Sequence, residues 1–136
     1  MNSNRRTFFG FAAALLAFFR AKAQPHASGS GVKLLARHAL TGPQQGMEAV
    51  LVEVTSAAGA PSHIHRHPGF VLGYVLDGKL SFGINNETPE TISAGASFFE
   101  PIGAVHTTGE SATPGEPVRF LAFLVVPAGS SIVLPA

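Results

Sequence analysis

From Val32 onward the chain breaks into short apolar runs rich in Val, Leu, Ile and Phe, each ended by Gly, Pro, Asn or Asp. No stretch repeats apolar residues at helical spacing. Turn signals returning about every 8 to 12 residues predict an all-β sandwich or small barrel. Strands are expected over 32–40, 47–54, 70–76, 79–84, 90–93, 97–100, 104–107, 118–126 and 131–134, with 61–67 extended. Within 47–54, Val50, Val52 and Val54 alternate with Leu51 and Glu53, so one face is apolar throughout. Asp77-Gly78 between two apolar runs predicts a hairpin joining 70–76 to 79–84. With 46% apolar side chains and no internal repeat, residues 32–136 read as one domain.

The segment before that domain has a different character. Arg5 and Arg6 precede Thr7-Phe8-Phe9, an apolar run extends to Phe19, and Arg20-Ala21-Lys22-Ala23 follows. A charged start, an apolar stretch of roughly 12 residues and an Ala-x-Ala site have the form of an export signal, and the run is shorter than the ~20 residues a membrane span needs. The paired arginines resemble a bacterial twin-arginine signal, which implies a periplasmic destination and export in the folded state, often with a cofactor already bound. Residues 1–23 are therefore expected to be removed, leaving 113 of the 136 residues and no membrane attachment. Residues 24–31 have the small, polar make-up of a flexible linker.

Removing the front segment changes the charge balance. From Gln24 onward five basic residues face eight acidic ones, a net charge of −3, which argues against a nucleic-acid partner. Cysteine is absent, so in an oxidising compartment stability has to come from packing, a metal or oligomerisation.

Four of the six histidines, His63, His65, His67 and His106, cluster in or beside two Gly/Pro-rich segments. Spacing by two puts His63, His65 and His67 on one face of an extended strand, and neutral imidazoles are the commonest metal ligands. A third ligand for a pair on that strand has to come from elsewhere, and His106 is available. Phe70, Tyr74, Phe82, Phe98, Phe120 and Phe123 read as barrel filling, and Arg66 as lying on the face opposite the histidines.

The spacing of these residues resembles the cupin superfamily. Gly59, His65, His67, Val71 and Gly78 fall at the intervals of its first motif, with Val71 where a glutamate usually stands. Gly95, Pro101, Gly103 and His106 fall at those of its second, with Glu110 where the usual asparagine would be. The resemblance implies a small antiparallel jelly-roll β-barrel. It implies one divalent transition-metal ion, iron, manganese, copper or zinc, with His65, His67 and His106 as its ligands. Val71 has no donor atom, which leaves either three histidines plus water or a substitute ligand. Alternation offers two substitutes, His63 on the strand of His65, and Glu100, which shares a strand face with Phe98. Either residue also serves as a candidate general base.

These features predict a metal-dependent enzyme acting on a small, weakly polar organic molecule, dioxygenase-like before isomerase or lyase. The alternatives are a non-catalytic ligand-binding or metal-sensing module and a metal-free structural domain. An apolar amino-terminal strand at 32–40 adds the expectation of a homodimer.

Overall fold

A computed structural model describes residues 29–136; the expected signal segment lies outside them. Ten strands follow in order: β1 (Gly31–Ala39), β2 (Met47–Ser56), β3 (His65–Arg66), β4 (Phe70–Asp77), β5 (Lys79–Ile84), β6 (Glu90–Ser93), β7 (Ser97–Glu100), β8 (Val105–Ser111), β9 (Val118–Pro127) and β10 (Leu134–Pro135). They form two five-stranded antiparallel sheets, ordered β1-β2-β9-β4-β7 and β10-β3-β8-β5-β6, which face each other as a jelly-roll barrel. A single 3-10 turn, Gly42–Gln44, links β1 to β2.

Alternation decides what each strand buries. Val50 and Val52 of β2, and Val118, Phe120, Ala122, Leu124 and Val126 of β9, are buried between the sheets. Their neighbours in sequence face outward. Burial is uneven along the barrel: Phe82, Phe98 and Phe120 stack at one end, with ring centroids 4.6 and 5.6 Å apart, and fill it. At the other end the walls are Val50, Val52, Val71, Ala122, Leu124 and Val126. Side chains this small cannot meet across the barrel, so that end stays hollow. Gly73 on β4 belongs to the filled end, where a Cβ in its place would lie 2.0 Å from Phe98 Cζ.

Three sequence expectations are corrected here. Asp77-Gly78 turns the chain, with Gly78 at φ +79°, but β4 and β5 do not form a hairpin. Both edges of β4 are taken by strands distant in sequence, β7 and β9, so β5 crosses to the other sheet. Residues 61–67 pair only at His65–Arg66. Phe70, Tyr74 and Phe123 do not fill the barrel: Phe70 packs its ring against the exposed Phe99, and Tyr74 and Phe123 are 47% and 36% exposed, all on the outer face of the first sheet. There Leu51, Phe123, Leu72 and Phe99 stand in cross-strand register, an apolar row spanning β2, β9, β4 and β7.

Candidate metal centre

The hollow end of the barrel is a cavity of about 540 Å³. Its walls are the Val, Ala and Leu side chains of β2, β4 and β9, with Phe120 towards the filled end. His65, His67, His106 and Glu100 enter it from β3, the segment after β3, β8 and β7. Among the described residues no lysine or arginine lines it.

His65 and His106 are brought together by register, as direct partners across β3 and β8, and their ring centroids lie 5.0 Å apart. His67, two residues beyond His65, turns its ring edge-on to it at 4.7 Å. One nitrogen of each ring lies within 4.8 Å of one nitrogen of each of the other two. Gly109 makes room for the third ring, since a Cβ there would come 2.9 Å from His106 Cε1. The loop before β3 is tied to β8 by Ser62, whose Oγ accepts from Gly109 N at 2.8 Å and bonds the Glu110 carboxylate.

Each imidazole is oriented by a backbone carbonyl. His65 Nδ1 lies 2.6 Å from the His63 carbonyl oxygen, His67 Nδ1 2.5 Å from that of Ile132, and His106 Nε2 2.7 Å from that of Thr108. A carbonyl can only accept, so each of these nitrogens carries the proton and the other ring nitrogen presents a lone pair. His65 Nε2 and His67 Nε2 face each other at 3.0 Å. Two lone pairs at that separation repel unless a proton or cation stands between them.

Glu100 is 3% exposed and faces inward, opposite Val71 across the β4–β7 pairing. Its Oε1 lies 3.5 Å from His106 Nδ1, and its Oε2 lies 3.7 Å from His67 Nε2. Neither Glu100 Oε2 nor His106 Nδ1 has a hydrogen-bond partner, although both are buried. Burial pushes the Glu100 carboxyl up to about 7 and His106 down to about 4, and it lowers His67 as well. Both partners are thus driven towards their neutral forms, and these approaches are not an ion pair. Neutral imidazoles are the state a metal requires. Three lone pairs, one of them on the orphaned His106 Nδ1, together with an orphaned carboxylate oxygen fit a divalent ion.

His63 is separate from this group. Its side chain is exposed at the cavity mouth, and its contribution to the cluster is the backbone carbonyl that orients His65. Chain alternation gave the shared face, but pairing begins only at His65, so His63 lies beyond the paired strand. Arg66 is exposed, as expected for the opposite face. Sequence reasoning missed the orienting carbonyls of Ile132 and Thr108 and the Ser62–Glu110 tie. Only the second carried a signal, the acidic residue at the end of the second motif.

A family model described as a cupin domain matches residues 50–126. A Klebsiella pneumoniae protein with a double-stranded β-helix domain is similar, with 20% identity over 83% of this chain and 90% of that one and a TM-score of 0.61. An RmlC-like cupin family protein of Methanocaldococcus jannaschii shares 11% identity over 78% and 87% of the two chains, with a TM-score of 0.57. The DMSP lyase DddQ of Ruegeria pomeroyi shares 19% identity over 79% of this chain and 52% of its own, with a TM-score of 0.57. No curated protein matches the sequence significantly.

Proposed function

The chain belongs to the cupin family, and on that premise we propose that it is a periplasmic, metal-dependent enzyme acting on a small organic molecule. His65, His67 and His106 are the proposed ligands of one divalent iron, manganese, copper or zinc ion. The observation that carries this reading is the orientation of the imidazoles: three protons are tied back to carbonyls, and one nitrogen of each ring lies within 4.8 Å of one nitrogen of each of the others. When bound, such an ion supplies Lewis-acid chemistry and, for the redox-active metals, oxidation of a substrate at its open positions.

The chain's own residues supply the rest. Val52, Val71, Ala122 and Leu124 line the cavity and exclude water from the substrate body. Without lysine or arginine in the lining, an uncharged or singly anionic molecule with an apolar body is favoured over a sugar phosphate. Glu100 borders two ligand imidazoles and can serve as general base only while it is not itself bound to the ion. His63, at the mouth, relays protons to solvent. The reaction class proposed first is dioxygenase-like, because an open-sided histidine centre in an apolar cavity suits dioxygen beside an organic substrate. Elimination by a lyase also uses a carboxyl beside a Lewis acid and stands second.

Export rests on the Arg5-Arg6 segment, and a homodimer on the apolar strand row of Leu51, Phe123, Leu72 and Phe99. Elemental analysis of the untagged protein isolated from periplasm tests the metal. About one equivalent per chain, lost when His65 and His106 are both replaced by Ala, is expected; full retention in the double variant refutes the ligand set. Metal-dependent oxygen uptake with a panel of small aromatic and aliphatic substrates tests the reaction. Bound metal without turnover would favour a ligand-binding or metal-sensing module.

A further inference from the structure

We propose that Glu100 is the fourth ligand of this ion, and that the two members of the Val71–Glu100 cross-strand pair are interchangeable positions for its carboxylate. The inference rests on the metal-binding reading above. It starts from an imbalance: a carboxyl 3% exposed, among valines and imidazoles, has one oxygen with no partner, and His106 Nδ1 beside it has none. Leaving either polar atom unsatisfied in an apolar interior is costly, and one cation between them satisfies both. The two Glu100 oxygens point at two different lone-pair nitrogens, at 3.5 and 3.7 Å, so the carboxylate already borders the space the imidazoles enclose.

The register explains why the carboxylate can come from this strand. Val71 and Glu100 are direct partners on β4 and β7, and both are buried on the inner face. Side chains at such a pair start about 5 Å apart and project the same way. A glutamate has enough length to reach one point from either backbone position. Val71 has no donor atom, and it leaves beside the histidines the room that the Glu100 side chain uses.

The experiment measures zinc affinity of the full-length protein by chelator competition, and the visible spectrum of its cobalt(II)-loaded form. Glu100→Gln keeps the shape of the side chain and removes its charge. A loss of more than a hundredfold in zinc affinity with an altered cobalt spectrum is expected. A smaller loss, of the size that outer-shell carboxylates produce, or an unchanged spectrum, overturns the proposal while leaving the three-histidine site standing. A wild-type protein that binds neither ion overturns the metal-binding reading itself. The double variant Val71→Glu/Glu100→Val returns a carboxylate from the opposing strand and is expected to recover at least tenfold of the lost affinity. Folding is checked by thermal melting with chelator, and no recovery in a folded double variant overturns the interchangeability.

Discussion

In the metal-free protein, replacing Glu100 by Gln is expected to stabilise the fold, and to do so only above mildly acidic pH. Burial moves this carboxyl from an ordinary value of 4.5 up to about 7. The two values differ by about 2.5 pH units, and each unit corresponds to about 1.4 kcal/mol. Below pH 4.5 folded and unfolded chains both hold the proton, so burial of the carboxyl carries no ionisation cost there. As the pH rises from 4.5 to 7 the unfolded chain ionises first, and stability falls by about 3 kcal/mol in total. Glutamine, isosteric with the protonated acid, never ionises. The variant should therefore exceed the wild type by less than about 1 kcal/mol at pH 5 and by about 3 kcal/mol at pH 8, near 10 °C in melting temperature for a domain of this size. His106 contributes the opposite slope, losing stability as the pH falls from 6.5 to about 4, but it is present in both proteins. Urea denaturation with chelator at both pH values measures the difference. A gain that is equal at pH 5 and pH 8, or a less stable variant at pH 8, would refute the argument that desolvation governs this carboxyl. Zinc should reverse the order, because the wild type alone would then hold a charged ligand against the ion.

Three further outcomes are expected. Gly73→Ala forces Phe98 out of the aromatic stack and should cost about 3 kcal/mol or more in urea denaturation, since backbone holds the new Cβ in place. Ser62→Ala removes the acceptor of the Gly109 N–H and the partner of Glu110. It should cost about 1 to 2 kcal/mol and lower zinc affinity by roughly ten- to a hundredfold, both measurable on one preparation. Leu72→Glu puts a charge in the middle of the apolar outer row, where Leu72 is 50% exposed. A dimer by light scattering should become monomeric with melting little changed; an unaltered mass would remove that face from consideration.

Strand character was legible locally because alternation is a property of neighbouring residues. Val50, Val52 and Val54 share an inward face, and β9 repeats the pattern across ten residues. The His65 and His67 pair was legible for the same reason, with spacing by two. His106 was available in the sequence as a ligand, but only the β3–β8 register sets it opposite His65. Asp77-Gly78 marked a turn correctly and a partner wrongly. A turn signal specifies local backbone angles, whereas both edges of β4 are occupied by β7 and β9, which come from elsewhere in the chain.

Glu100 separates the two kinds of information most clearly. Its place on the same strand face as Phe98 follows from the sequence, since side chains alternate along any strand. Whether that face points into the barrel or out of it depends on which strands flank β7, and β7 has only β4 beside it, with Val71 opposite. The apolar periodicity, the turn positions and the histidine spacing were therefore determined by the sequence alone. Convergence of three imidazoles with a buried carboxylate in a hollow walled by small residues was decided only by the tertiary structure, because it depends on long-range register and on where the bulky aromatic side chains collect.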